Sequence, residues 1–305
     1  SNYVASGSRD KSAKLWELST GREVRSFLGH QASVSCMDFN SDGKYLATGS
    51  RDKSAKVWEV ATGKEILSVK LEPEWYTSNE EVINDIAFDP KGKYFVTLGQ
   101  MVRVWEFPSK KRIKEWEEEQ GNQGAENLAI SPDGQWLAVG KDNNTAIVYK
   151  TSNWQKAFTF EFSEYYSSCG GCITDVDFSS DSKYLLKSSK RGEVAKYNLT
   201  DGKLVIRYKR KIEDLTSASF SRDGKWVLAC TNKEVTLYDA TKGDSIRTFS
   251  LDIEAEINQA KFTNDGKKVL MACDNNVVLT YHAATGKKRQ ELTGFLNKRD
   301  KGGLT

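Results

Sequence analysis

Cys169-Gly170-Gly171-Cys172 is the spacing in this chain that most suggests chemistry, because two thiolates three residues apart can share a metal ion or form a redox pair. A structural zinc site wants four ligands, and Cys36, Cys230 and Cys273 sit inside β-rich runs, where cysteine serves as a small buried hydrophobe. The motif therefore reads as a glycine-rich entry to a strand, and neither a metal nor any other cofactor is expected. Nucleophilic catalysis has little material: of the 2 histidines, His282 stands without a serine or cysteine motif beside it, and His30 has another use, described below. No phosphate loop of the Gly-Lys-Ser type occurs. The 42 acidic residues single out no acid–base pair, so no catalytic residue is named and the chain is not expected to be an enzyme.

The bulk numbers leave room for one large core or two modest ones, since 38% of the 305 residues are apolar. With 45 basic and 42 acidic residues the formal charge is +3, too small to announce a nucleic-acid or membrane partner, so any electrostatic effect must be local. Five cysteines, an odd number without even spacing, fit a reducing compartment, and a cytoplasmic location is expected. No apolar run approaches the roughly 18 residues of a membrane span, and no signal-peptide pattern opens the sequence.

The elements that would position any site are written as a repeat. Ser6 to Glu17 reads SGSRDKSAKLWE and Thr48 to Glu59 reads TGSRDKSAKVWE, so ten of twelve residues recur at an offset of 42. Turns of the Asp-Gly-Lys type follow at Asp42-Gly43-Lys44, Lys91-Gly92-Lys93, Asp133-Gly134, Asp181-Ser182-Lys183, Asp223-Gly224-Lys225 and Asp265-Gly266-Lys267. An aromatic marks each period: Trp16, Trp58, Trp105, Tyr149, Tyr197, Tyr238 and Tyr281, at intervals of 42, 47, 44, 48, 41 and 43. Short runs such as Val34 to Phe39, Tyr45 to Gly49, Ser54 to Glu59 and Glu65 to Val69 predict four strands per period. They are apolar on both faces, and sheets of that kind must be covered on both sides. Radially packed four-stranded sheets achieve this with short edges, which predicts an all-β propeller of seven blades.

These residues resemble the WD-repeat propeller family along essentially the whole chain. The resemblance is sharpest in the second repeat, where Gly29-His30 precedes Thr48, Asp52 and Trp58. It implies that His30, Thr48, Asp52 and Trp58 form a hydrogen-bonded relay that pins the blade, and that Ser6, Asp10 and Trp16 supply three of its four members in the first repeat. The duplicated stretch then encodes a blade corner and not an active site. Departures are evident: the closing dipeptide is Trp-Glu at Trp16, Trp58 and Trp105, and only Tyr238-Asp239 keeps the aspartate. With 2 histidines, at most two blades can own a full relay, so packing must hold the later ones.

A single domain, residues 1–305, is expected, with blades at about 1–28, 29–71, 72–117, 118–161, 162–209, 210–251 and 252–294 and a tail, 295–305. Tyr3-Val4-Ala5 aligns with the second-strand segment Tyr45-Leu46-Ala47, and Leu304-Thr305 resembles the inner-strand openings Ile173-Thr174 and Leu215-Thr216. The ends are therefore expected to meet in one blade, and the natural protein is expected to be longer.

Length varies most in two connections, which contain Glu74, Trp75, Tyr76 and Glu80, and Glu164, Tyr165 and Tyr166. Binding residues concentrate on such loops, and Tyr and Trp in a charged rim are the composition of an interface. The resemblance puts these connections at one end of the propeller, the top, where Glu118 is a further acidic residue. Lys64, Lys110-Lys111-Arg112, Lys203, Lys242 and Lys287-Lys288-Arg289 fall at the opposite end, and Asp252 falls at the top. The expected partner is a protein or peptide of basic character on an acidic top face. Nucleic acid is disfavoured, because the basic residues lack aromatic interleaving, and a monomer is expected. A regulatory or sensor propeller within a larger enzyme or signalling protein is the alternative, and a propeller enzyme comes third.

Overall fold

The computed structural model describes residues 3–71, 82–117, 125–161, 172–208, 215–275 and 277–293, and within them the chain is all strand, with no helix. Seven antiparallel sheets follow one another along the sequence. The first contains β1 (Tyr3–Gly7), β2 (Ser12–Glu17) and β3 (Glu23–Leu28). The second contains β4 (Val34–Phe39), β5 (Tyr45–Ser50), β6 (Ser54–Glu59) and β7 (Glu65–Lys70). The third contains β8 (Asp85–Phe88), β9 (Tyr94–Leu98), β10 (Met101–Glu106) and β11 (Arg112–Glu117), and the fourth β12 (Ala125–Ile130), β13 (Trp136–Lys141), β14 (Thr145–Lys150) and β15 (Gln155–Glu161). The fifth contains β16 (Ile173–Phe178), β17 (Tyr184–Ser189), β18 (Val194–Asn198) and β19 (Leu204–Tyr208), and the sixth β20 (Leu215–Phe220), β21 (Trp226–Thr231), β22 (Glu234–Asp239) and β23 (Ser245–Ser250). The seventh contains β24 (Ile257–Phe262), β25 (Lys268–Cys273), β26 (Val277–His282) and β27 (Lys288–Thr293). The fold class is the seven-bladed β-propeller, each blade an up-and-down sheet in sequence order.

The recurrence of the marker aromatics has a backbone cause. In every sheet the register between the last two strands slips immediately before the aromatic, at Leu15/Trp16, Val57/Trp58, Val104/Trp105, Val148/Tyr149, Lys196/Tyr197, Leu237/Tyr238 and Thr280/Tyr281. The extra residue lies on the last strand, as Ile66 does opposite Val57 and Trp58, and the rings of Trp58, Trp105, Tyr197, Tyr238 and Tyr281 pack against the preceding sheet. The turns between first and second strands demand a left-handed residue. Gly43 supplies it at φ 72°, and Ser182 does so at φ 58° in the fifth repeat, the one that lacks glycine there.

The described residues cluster as two compact units that divide between Glu126 and Asn127, inside β12. In the first unit, Ala13, Leu15 and Phe27 of the first sheet pack on Leu46 and Trp58 of the second, and Val57, Leu67 and Val69 of the second pack on Ile86, Phe95 and Trp105 of the third. In the other unit the same rule joins the fourth sheet to the fifth, the fifth to the sixth and the sixth to the seventh. Cores therefore lie between successive sheets, which explains why the strands are apolar on both faces. Inner strands are also tied by a carboxylate: Asp38 accepts the backbone N–H of Phe88 at 2.9 Å, and Asp177 accepts that of Phe220 at 2.7 Å. Among the described residues the first sheet has three strands, and the expected meeting of the chain ends lies outside those residues, at 294–305.

Candidate interaction site

The four side chains His30, Thr48, Asp52 and Trp58 are joined in one line. Trp58 Nε1, a donor only, gives its proton to Thr48 Oγ1 at 2.8 Å. His30 Nε2 lies 2.8 Å from the same Oγ1, and His30 Nδ1 lies 2.9 Å from Asp52 Oδ2. Burial lowers the pKa of His30, against the opposing pull of Asp52, so the imidazole is neutral near pH 7. The proton must then sit on Nδ1, facing the acceptor-only carboxylate, and Nε2 accepts the Thr48 hydroxyl. Burial also pushes the Asp52 carboxyl up, but hydrogen bonds from Ser54, the Gln31 backbone and His30 outweigh it and hold Asp52 below its ordinary value. Every polar atom along the line has a partner, and the line ends in the core against Leu15 and Phe27. This arrangement holds a corner, and it has no exposed reactive atom.

Other sheets use fragments or replacements of that line. In the first, Trp16 Nε1 donates to Ser6 Oγ at 2.8 Å, while Asp10 accepts from the backbone and hydroxyl of Ser12. In the third, Trp105 Nε1 donates to Thr97 Oγ1 at 2.9 Å, a pair that the register Tyr94 to Thr97 against Tyr45 to Thr48 could have revealed. In the fifth, Lys187 occupies the place of Thr48, and Tyr197 that of Trp58. The Lys187 ammonium is fully buried, 5.3 Å from the centre of the Tyr197 ring. Lys196, on the next strand, donates to the Ala240 carbonyl, which also accepts the Tyr208 hydroxyl at 3.2 Å.

An open cleft of about 310 Å³ lies within the first unit, lined by Ser35, Arg51, Val82, Ile83, Asn84 and Glu126. The bulge that shifts pairing from Val34↔Ser50 to Cys36↔Gly49 leaves Ser35 unpaired in the ladder, with its hydroxyl donating to the Ile83 carbonyl at 2.7 Å. Asn84 donates from its side-chain nitrogen to the Ala125 carbonyl at 2.9 Å. Gly49 must lack a side chain here, because a Cβ would stand 2.5 Å from both Cys36 Sγ and Ile83 Cγ2. Floor and walls are thus fixed, and the exposed side chains of Arg51 and Glu126 form the rim. Sequence reasoning missed all six lining residues. The one available signal was Arg51 within the duplicated Ser-Arg-Asp.

Trp75, Tyr76, Glu74, Glu80, Tyr165, Tyr166, Glu164 and Glu118, the residues expected to bind a partner, lie outside the described residues. The cleft nevertheless includes Val82, Ile83 and Asn84, which continue the first of these connections in sequence. The expected acidic end falls largely on connections outside the described residues. Asp252, expected at the acidic end, is ion-paired at 2.8 Å with Lys288, expected at the basic end. Turn lysines are balanced locally, Lys44 by Asp42 at 3.0 Å and Lys203 by Asp201 at 3.5 Å.

Of the Cys-x-x-Cys motif, Cys172 is described and half-buried, and Cys169 lies outside the described residues. Burial raises the Cys36 thiol pKa well above its ordinary value and pushes Cys273 up to about 12, as expected of packing residues. Among the described residues, no three His, Cys, Asp or Glu side chains gather where a metal could be held.

Comparison with known proteins places these features in a lineage. The family described as the IFT122 first beta-propeller matches residues 1–282. The Lissencephaly-1 homolog of Heterostelium pallidum is 48% identical over 42 residues, 14% of this chain and 10% of that protein. Small ribosomal subunit protein RACK1 of Caenorhabditis elegans is 25% identical over 159 residues, 49% of this chain and 46% of that one. Pre-mRNA-processing factor 17 of Homo sapiens is 24% identical over 218 residues, 67% of this chain and 34% of that one. The chain spans less than half the length of each of these relatives.

Proposed function

Because the chain belongs to the WD-repeat propellers, in the family of the IFT122 first beta-propeller, we propose that it is a non-catalytic platform that holds a partner protein or peptide at the propeller's top. The observation that carries this reading is the cleft bounded by Ser35, Arg51, Asn84 and Glu126. Its lining includes Val82, Ile83 and Asn84, which continue the connection whose length and aromatic content single it out in the sequence. A cleft of this volume is at the small end of ligand pockets, which run from roughly 300 to 1,000 Å³, and its openness to solvent suits a protruding side chain better than an enclosed cofactor. A stable protein interface buries about 1,200–2,000 Å², so the cleft is an anchor within a larger contact surface. The hydrogen-bonded corner at His30 supports this reading by giving that surface a rigid mount.

A cytoplasmic, monomeric platform remains the proposal. A regulatory propeller in a larger protein is the second reading, favoured by the share of the relatives that the chain covers, between 10% and 46%.

The test is affinity capture from host lysate at low and high salt. It compares the unaltered chain with Val82→Trp, which fills the cleft, and with the Trp75→Ala, Tyr165→Ala, Tyr166→Ala triple variant. A platform loses the same captured protein in both variants and holds it less well in salt. Capture of one identical set of proteins by all three forms would overturn the proposal.

A further inference from the structure

The rim of the cleft carries one charge of each sign. Arg51 and Glu126 are both exposed, and among the described residues neither side chain has a hydrogen-bond or ion-pair partner. On the strand bearing the marker aromatic, the cation two residues before it is paired in each of the first three sheets: Lys14 with Glu23 at 3.2 Å, Lys56 with Glu65 at 2.7 Å and Arg103 with Glu115 at 2.8 Å. Among the described residues Arg51 and Glu126 have no such partner, and both line one opening.

Between them the polar capacity is partly used. The Ser35 hydroxyl proton is given to Ile83 O and the Asn84 amide to Ala125 O, which leaves the Ser35 lone pairs and the Asn84 side-chain carbonyl as acceptors. Guanidinium can only donate and an ionised carboxylate can only accept, so these two lining residues ask for opposite groups. Resting on the platform reading above, we infer that the cleft takes a peptide segment presenting both signs, its carboxylate on Arg51 and its ammonium or guanidinium on Glu126. A purely basic segment, the partner expected from the sequence, would place like charge against Arg51. A purely acidic one would do so against Glu126. The volume of about 310 Å³ equals that of about ten water molecules, enough for one or two side chains over the apolar wall of Val82 and Ile83. Arginine is a frequent interface hot spot because its planar fork grips a carboxylate with two parallel hydrogen bonds.

The probe is a display library of random dodecapeptides, selected on the intact 305-residue chain, with the best peptides then measured by fluorescence anisotropy. The variants are Arg51→Glu, Glu126→Lys and Val82→Trp, each checked for an unchanged melting temperature. The expected peptides lose binding to Val82→Trp and carry an acidic and a basic residue at a constant spacing. Each charge reversal weakens them at least about tenfold, a change of about 1.4 kcal/mol. Changing the basic peptide residue to glutamate restores binding to Glu126→Lys. Peptides blocked by Val82→Trp but indifferent to both charge reversals would overturn the two-charge inference and leave the platform reading standing. If no peptide is selected, or none is blocked by Val82→Trp, both fall.

Discussion

The ammonium nitrogen of Lys187 lies 2.7 Å from the carbonyl oxygen of Phe160, so the fifth sheet is fastened to the fourth by a buried cation where the second sheet has a neutral threonine. A second carbonyl, that of Asn144, stands at 3.5 Å. Burial brings the pKa of Lys187 down to about 7, with Glu193 and Glu161 opposing the shift and Arg207 adding to it. Glu193 and Arg207 are themselves ion-paired beside it.

This fastening should make stability rise with pH. The unfolded-state pKa of lysine is about 10.4, and the folded value is lower, so between about 7 and 10.4 the unfolded chain binds more protons. The cost of burying the charge is greatest below pH 7 and fades as pH rises through that window. Lys187→Met removes the titration and also strands the Phe160 carbonyl, at about 1–3 kcal/mol. The melting temperature of Lys187→Met minus that of the unaltered chain should therefore change little below about pH 7 and fall from there to about pH 9. A difference independent of pH would show that the lysine keeps an ordinary pKa.

The relay allows a graded prediction. Thr48 Oγ1 serves both Trp58 and His30, whereas Thr97 Oγ1 serves Trp105. Thr48→Val strands two buried groups and Thr97→Val strands one, with nearly the same change of shape in each. At roughly 1–3 kcal/mol per stranded group, Thr48→Val should lower the urea midpoint about twice as far. Equal losses would mean that the bond between His30 Nε2 and Thr48 Oγ1 contributes nothing to stability.

Much of this architecture was legible in the sequence, and the residues show why. Val34 to Phe39 and Ser54 to Glu59 were bounded correctly because glycine and aspartate turns punctuate runs whose apolar content has one explanation, burial on both faces. The line from His30 to Trp58 was legible because a hydrogen-bonded corner needs particular side chains at fixed intervals, and the first two repeats preserve them. Lys187 was not, since a lysine between Leu186 and Ser188 carries no sign that its strand is covered on both sides. The cleft was not legible either. Ser35, Arg51 and Glu126 are brought to one opening by a backbone bulge and by contacts between residues far apart in sequence, and neither leaves a mark on residue type.

Acid should attack the second sheet first, through His30. Its folded pKa lies below the ordinary value of 6.5, mainly because burial disfavours the imidazolium. In the unfolded chain the imidazole takes up a proton as pH falls through about 6.5, while the folded one resists. Stability is therefore complete above that pH and is lost as pH falls from there toward the lower folded value. Further acidification then protonates Asp52, whose depressed pKa means that its contribution is lost below the ordinary carboxylate range. His30→Gln keeps a donor and an acceptor without titrating, so it should flatten the upper part of the acid limb and leave the lower part in place. The measurement is the urea midpoint from about pH 2.5 to pH 7.5 for both proteins. If the two curves run parallel across pH 5 to 6.5, His30 is not the group that titrates there, and the neutral tautomer assigned to the relay would have to be abandoned.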